Sequence, residues 1–355
     1  MREMRRLSIV EQSANHLRNG IRSGLWRCTL PGLVPLAREL NISRGTLQNA
    51  LRILENEKLV SVHGAGNNRR INLRKLKKMK LRVGVLRFEE EGLQMSKLLF
   101  QVQHNLEARG HRMFFAPKSQ ATLQHSLTRI VRHVAENPAD AWVVEAGSRE
   151  LLEWFSQQPA PCFALYGRSE GLPLSRSGPE MIPPLLEVTR ELIALGHRRI
   201  VTICRRNRRE PTLGNAERAI LDTLSGHGIV TGEYNMPDWE MTPEGLDSML
   251  KKIFRSTPPT ALILDESYFA INAAQFLARN GIDVPGKVSL FSTQYDEALA
   301  WCRPVIAHIQ WKSEPIVRRL TRWVDDLQKG RNDRKTINFP AEYVRTGSIG
   351  PAWQG

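Results

Sequence analysis

From Leu81 onward the chain alternates short apolar runs with longer amphipathic stretches, and this alternation constrains the fold more than any other feature. Strands are expected at 81–86, 112–116, 141–145, 162–166, 199–204, 260–264 and 287–291. Helical spacing of apolar residues places helices at 95–109, 122–136, 183–195, 214–225, 244–255 and 267–279. Strands separated by helices cannot be joined by hairpins, so the pattern predicts an α/β fold of parallel sheets covered by helices. More than 200 residues of it predict two such lobes. There is no repeat with a period of about 20 to 50 residues and no low-complexity segment.

Charge separates the first 80 residues from this body. The 355-residue chain carries a formal net charge of +15, yet residues 1–80 hold 17 Lys and Arg against 5 Asp and Glu. The remaining 275 residues hold 34 against 31. The excess peaks at Arg69, Arg70, Arg74, Lys75, Lys77, Lys78 and Lys80. Clustered cations of this kind neutralise phosphate oxygens and release counterions, which points to nucleic acid as the partner. No run approaches 18 consecutive apolar residues and the basic N-terminus has no apolar stretch behind it, so the expected location is cytoplasmic, with no membrane contact. The four cysteines, Cys28, Cys162, Cys204 and Cys302, have neither metal-ligand nor redox spacing and read as reduced thiols.

Within the basic segment, Val10, Ala14, Leu17 and Ile21 define a first helix over about 7–23. A short second helix is expected at 35–40, a turn at Asn41-Ile42-Ser43, and a third helix capped by Ser43 and running to about Glu57. Leu47, Ala50, Leu51 and Leu54 face one side of that third helix. Its other side shows Arg44, Gly45, Thr46, Gln48, Asn49 and Arg52, a small, cationic, hydrogen-bonding face that fits a major groove. Two alternating runs, 59–63 and 69–73, flank Gly64-Ala65-Gly66-Asn67-Asn68 and predict a β-hairpin wing, with His63, Arg69 and Arg70 along it.

The order and spacing of Leu30-Pro31, Leu36-Ala37-Arg38-Glu39-Leu40, Ile42-Ser43-Arg44, Thr46-Leu47, Ala50-Leu51, Leu54, Leu59-Val60 and Gly64-Ala65-Gly66 resemble the GntR-type winged helix-turn-helix over residues 7–73. That resemblance implies DNA contacts from Arg44, Thr46 and Gln48. The sequence departs from the family at Gly32-Leu33-Val34-Pro35, at Gln48, where arginine is frequent, and at Lys58, where glycine is usual before the wing. The operator sequence therefore cannot be carried over from relatives.

Three segments of the body support a second resemblance. Leu195-Gly196-His197-Arg198-Arg199-Ile200-Val201 leaves a helix and enters a strand, and Pro259-Thr260-Ala261-Leu262-Ile263-Leu264 precedes Gly281-Ile282-Asp283-Val284-Pro285-Gly286. Near the end, Pro340-Ala341-Glu342-Tyr343-Val344-Arg345-Thr346-Gly347-Ser348 completes the set. Together they resemble the effector domain of the lactose-repressor and galactose-repressor family, which is periplasmic-binding-protein-like and two-lobed. The resemblance implies three passages of the chain between lobes, near residues 167–178, 292–303 and 330–336, and a small ligand, usually a sugar, in the interlobe cleft. A GntR-type reader joined to this sensor is similar to the arabinose-repressor architecture, which implies a homodimer on a double-stranded DNA operator.

The expected division is 1–73 for the DNA-binding domain, 74–80 for a basic linker, and 81–355 for an effector-binding and dimerisation domain. The family's ligand positions fall on Asn215 or Ala216, on Glu266-Ser267, and on Gln294, and all are changed from the family's residues. Asp265 and Asp296 lie beside them, and Arg168, Tyr268, Tyr295 and Trp311 are further lining candidates, although Trp311 also suits packing and Asp265 a helix cap. The candidate ligand set is thus Arg168, Asn215, Glu266, Gln294, Asp296 and Trp311. Two readings follow: a regulator with an altered ligand, or a DNA-bound dimeric interaction protein whose two-lobed domain no longer binds a sugar. The sequence has no phosphate-binding glycine loop, no nucleophile elbow and no His-x-x-x-His helix, so neither an enzyme, a cofactor nor a metal is expected.

Overall fold

The computed structural model describes residues 8–23, 25–26, 28–63, 68–72, 80–89, 93–210 and 212–354. The chain forms two compact units, Met1–Gly178 with Ser313–Asn338, and Pro179–Lys312 with Phe339–Gly355.

The first unit begins with helices α1 (Ile9–Ser23), α2 (Leu33–Glu39) and α3 (Arg44–Asn56), followed by strands β1 (Val60–His63) and β2 (Asn68–Ile71). A reciprocal pair starts α1: the Ser8 N–H donates to Glu11 Oε2 at 2.8 Å and the Glu11 N–H to Ser8 Oγ at 3.2 Å, so two donors at the helix start find partners. α2 begins two residues before the expected 35, because Pro35 falls in its first turn, where a missing N–H costs nothing. Asn41 turns the chain with φ 51°, and Ser43 Oγ accepts the Thr46 N–H at 3.0 Å to cap α3. β1 and β2 are antiparallel, with Val60 opposite Ile71 and Val62 opposite Arg69. The residues joining them, 64–67, and residues 73–79, which include all of the expected linker 74–80 except Lys80, lie outside the described residues.

These elements share a core of their own, built on Leu17, Ile21, Leu36, Leu47, Leu51, Leu54 and Leu59. Each side chain removed from water contributes roughly 2 kcal/mol. Gly20 is part of this fit, since a Cβ there would collide with the Trp26 ring. Two ion pairs brace the assembly from outside the core. Arg18 of α1 reaches Glu57 at 2.5 Å, and Arg69 of β2 reaches Glu55 of α3 at 2.7 Å.

The rest of this unit is α/β. It contains β3 (Arg82–Leu86), α4 (Leu93–Ala108), β4 (Arg112–Phe115), α5 (Leu127–Glu136), β5 (Ala141–Glu145), α6 (Arg149–Ser156), β6 (Cys162–Leu165) and β7 (Ser175–Glu180). The strands lie in the order β4-β3-β5-β6-β7, all parallel. Gly84 sits in β3 because its neighbour on β5 is Trp142, whose ring would be 2.7 Å from a Cβ at 84. The helix expected over 122–136 starts only at Leu127, since Gln124 and His125 adopt φ values of 56° and 52° that no α-helix contains.

The second unit carries α7 (Ile182–Ala194), β8 (Ile200–Ile203), the single turn α8 (Arg206–Arg209), α9 (Asn215–Gly226), α10 (Pro243–Ser256), β9 (Ala261–Leu264), α11 (Ser267–Arg279), β10 (Ser289–Ser292) and β11 (Ala307–Trp311). The chain then returns to the first unit as α12 (Glu314–Gln328), and β12 (Thr336–Val344) leads back to the second. β8, β9, β10 and β11 are parallel neighbours in that order, and β12 runs antiparallel to β11. Among the described residues no strand pairs with the outer edge of β8. Instead the Thr202 N–H donates to Asn235 O at 2.7 Å and Asn235 Nδ2 to Ile200 O at 2.9 Å.

The chain changes unit at 178/179, 312/313 and 338/339. The passage expected at 292–303 is therefore corrected. That segment stays in the second unit because β11 must still pair with β10, Phe291 opposite Ala307, before the chain can leave. His197, at the exit from α7, is fully buried; its Nε2 lies 2.9 Å from Gly350 O and 3.1 Å from Ser289 Oγ, tying that turn to the C-terminal segment.

Lys58, where the GntR-type pattern has glycine, adopts φ 58°. The left-handed conformation costs an L-residue about 1–2 kcal/mol, partly offset in glycine by its greater freedom when unfolded. Lys58→Gly should therefore stabilise the N-terminal module by about 0.5–1 kcal/mol, read as a raised midpoint in urea unfolding.

Candidate functional site

Two arrangements stand out, one on α3 and one at the carboxyl end of the second unit's sheet. On α3 the buried residues Leu47, Ala50, Leu51 and Leu54 occupy one side. Arg44, Gln48, Asn49 and Arg52 are all exposed on the opposite side, one or two turns apart. The first turn contains no acidic residue, so the positive end of the helix dipole adds to Arg44. Thr46 is half-buried and its Oγ1 lies 2.8 Å from Ser43 Oγ, which gives it a capping role. Arg70 is exposed, whereas the Arg69 guanidinium is held by Glu55. The side chain of His63 lies outside the described residues.

In the second unit, β8 is followed by α9 and the Asn235 segment on one side, and by α10 and β9 on the other. Connections diverge from the carboxyl end of β8, and such a switch point leaves a crevice where α/β sheets bind ligands. Here the crevice holds charged groups. Arg205, just beyond β8, places Nε 3.1 Å from Asp265 Oδ2 and Nη2 2.6 Å from Glu266 Oε1, both just beyond β9. Arg208 brings Nη2 to 3.4 Å from Asp265 Oδ1 and Nε to 3.9 Å from Glu217 Oε1. Asp265, Glu266 and Glu217 are buried, Arg205 is 16% exposed and Arg208 41%.

Burial acts to push the Asp265 carboxyl up, but the guanidinium groups of Arg208 and Arg205, with hydrogen bonds from Arg205, outweigh it and hold the carboxyl below the usual range. In return Asp265 raises Arg208 above the ordinary arginine value, against burial. Cys204 beneath the cluster is pushed up to about 12, mainly by burial and then by Asp265 and Glu217. Its thiol stays protonated and unreactive at neutral pH.

Of the six nominated ligand residues, Glu266 lies in this cluster. Asn215 is the exposed first residue of α9. The Gln294 N–H donates to Ser292 Oγ at 3.2 Å, and the neighbouring Thr293 Oγ1 donates to Asp265 O at 2.8 Å. Asp296 Oδ1 accepts the Ala298 N–H at 2.8 Å and so caps the 3-10 turn Glu297–Trp301. Trp311 ends β11, half-buried, opposite Ala341 of β12. Arg168 belongs to the first unit, where its N–H donates to Gly147 O at 3.0 Å beyond the carboxyl ends of β5 and β6. Sequence reasoning missed Arg205, Arg208 and Glu217. The signal for the first two was present: a cationic run, Arg205-Arg206-Asn207-Arg208-Arg209, one residue after the apolar strand Ile200–Ile203. Among the described residues, no group of three or more His, Cys, Asp or Glu is arranged to hold a metal ion, and no helix is long and apolar enough to cross a membrane.

Comparison with known proteins places this geometry in context. Residues 189–349 match the family model of a periplasmic binding protein-like domain. No curated protein matches the chain. A sugar-binding transcriptional regulator of the LacI family from Escherichia coli, solved with phosphate, is similar at a TM-score of 0.61 and 18% identity, over 76% of this chain and 98% of that one. A LacI-family regulator from Enterococcus faecium with bound ribose gives 0.61 and 14%, over 76% and 99%. The lac repressor dimer bound to operator and the anti-inducer ONPF gives 0.64 and 13%, over 77% and 95%. At such identities the likeness is one of fold: the chain carries a periplasmic-binding-protein-like domain and has LacI-family repressors among its structural neighbours.

Because Asp265 is held low, its stabilising effect is present above the unfolded carboxylate value and is lost as pH falls through the folded one. Asp265→Asn leaves Arg205 and Arg208 without their central partner. At pH 7 it should cost roughly 2–3 kcal/mol, less than a fully buried pair because both arginines reach water. The gap between variant and wild type should close as the pH is lowered below about 4, as followed by chemical unfolding at stepped pH.

Proposed function

We propose that this chain is a sequence-specific DNA-binding transcriptional regulator. In this reading residues 1–73 form a GntR-type winged helix-turn-helix, 74–80 a basic linker, and 81–355 a two-lobed effector-binding and dimerisation domain. The observation that carries the reading is the α3 surface: a Ser43-capped helix with its apolar side buried and Arg44, Gln48, Asn49 and Arg52 exposed on the other. That width and chemistry suit a major groove, while Arg70 on the ribbon suits backbone phosphate. A homodimer would present two such helices to paired half-sites, and the lac repressor dimer solved on operator supports that arrangement by likeness of fold.

In the same reading a small ligand, a sugar or sugar derivative, binds at the carboxyl end of β8 and β9 and biases the DNA-competent state through its different affinity for the two states. Asp265, Glu266, Arg205 and Arg208 supply the paired donors and acceptors that hydroxyl groups need. One observation favours the second reading, a DNA-bound dimer with no sugar ligand: the cluster is already internally paired, and Asp296 is committed to its cap. No catalytic role is assigned.

Arg44→Ala should weaken binding to a duplex chosen by in vitro selection by about 1–3 kcal/mol at fixed salt, measured by fluorescence anisotropy. Unchanged affinity would remove α3 as the reading helix. Arg69→Ala should act differently, lowering stability through Glu55 with a smaller effect on sequence preference.

Thermal melting against pentoses, hexoses and their acids separates the two ligand readings. A true ligand at about 100 times its Kd stabilises by about 2.7 kcal/mol, and Glu266→Ala should diminish that shift. A flat response across every class selects the dimer without a sugar.

A further inference from the structure

The first unit contains a second polar concavity, distinct from the cluster at β8 and β9. Helices α4 and α12 pack against each other. Between the end of α4 and one stripe of α12 lies a groove of about 500 Å³, lined by Asn105, Arg109, Arg318, Arg322, Asp325 and Lys329 among others. The α12 residues 318, 322, 325 and 329 recur three or four apart, so the sequence itself sets them in a row.

Five cations face two carboxylates in this groove, and the carboxylates are already in use. Asp325 pairs with Arg109, Nε to Oδ2 at 3.3 Å, and its Oδ1 lies 3.4 Å from His111 Nε2. Asp326 pairs with Arg331 and, at 3.9 Å, with Lys329. Arg318 and Arg322 are exposed, one turn apart, and make no hydrogen bond or ion pair with any described residue. A concavity that aims two uncompensated guanidinium groups into a volume suited to a small molecule is built for an anion.

We propose that the groove between α4 and α12 binds a small phosphate-bearing anion of two or more negative charges, with Arg318 and Arg322 as its principal contacts. The site adjoins the start of the α/β region. Lys80 Nζ donates to Arg109 O at 2.7 Å, and the Leu81 N–H donates to Nδ1 of His111, whose other nitrogen faces Asp325. An occupant of the groove would therefore touch Arg109 and Asp325, which hold the first residues of that region in place. The site needs neither the DNA-binding reading nor a sugar at β8 and β9.

Isothermal titration of the full chain with inorganic phosphate and with pyrophosphate, at constant ionic strength in chloride, tests it. Both should bind, pyrophosphate more tightly, and Arg318→Gln with Arg322→Gln should weaken binding at least tenfold. Asp326→Asn, which releases Arg331 and Lys329 toward the groove, should strengthen it several-fold. Arg190→Gln with Arg255→Gln removes the same charge from exposed positions of the other unit and should change nothing. Equal weakening by the two double variants would mean diffuse attraction to a chain of net charge +15 and would overturn the site. So would the absence of heat from both phosphates, including the case in which the 318/322 double variant loses only duplex DNA binding.

Discussion

Parallel strands cannot be joined by tight turns, and the rest of this architecture depends on that constraint. Each parallel neighbour in the second unit is reached by a crossover that starts from a carboxyl end. The residues immediately after β8 and β9 are consequently collected at one edge, whatever their identity. This is why Arg205 and Asp265, sixty positions apart, meet at 3.1 Å. The edge is also where peptide groups leave the ladder, so side chains must take over their hydrogen bonding. Thr293 Oγ1 on Asp265 O and Trp239 Nε1 on Cys204 O do this.

Arginine serves two purposes in the N-terminal module, and carboxylates sort them. Arg18 and Arg69 are drawn into the structure by Glu57 and Glu55, at the two ends of the same turn of chain. Those contacts fix α1 and the ribbon against α3 and spend the charge locally. Arg44 and Arg52 are exposed on α3 and form no ion pair with another described residue, so their charge faces solvent. A module with 5 acidic residues among its first 80 can therefore be rigid and strongly cationic together.

Much of this organisation was legible in the sequence. The spacing of Leu47, Ala50, Leu51 and Leu54, with Ser43 before them, fixed α3 and its cap to the residue, because periodicity and capping are local. The alternation after Leu81 gave the parallel α/β class for the same reason. What failed was decided by non-local contacts. Nothing in residues 292–303 shows that β11 must still be added to the sheet before the chain leaves the unit. The start of α5 was misplaced by two left-handed residues, Gln124 and His125, that carry no glycine or proline signal. α12 could have been found, since Ile316, Leu320, Trp323, Val324 and Leu327 follow helical spacing. The crevice was legible only in part: Glu266 and the neighbouring Asp265 were named from family positions, whereas Arg205 and Arg208 meet Asp265, and Glu217 meets Arg208, only after folding.

An internally paired crevice places conditions on anything that enters it. A ligand that merely displaced Arg205 would leave Asp265 and Glu266 buried with less compensation, at a cost of several kcal/mol. A neutral polyol avoids that cost only by inserting hydroxyls that donate to the carboxylates and accept from the guanidinium groups together, so that every ion pair becomes a bridge. An isolated anion satisfies Arg205 and Arg208 but abandons the carboxylates, and an isolated cation does the reverse. The cluster thus discriminates by requiring alternating donors and acceptors rather than by net charge, which on these residues is near balance. The groove on α12 is its electrostatic opposite. There the carboxylates are already paired and two guanidinium groups are left over, so charge alone suffices for recognition.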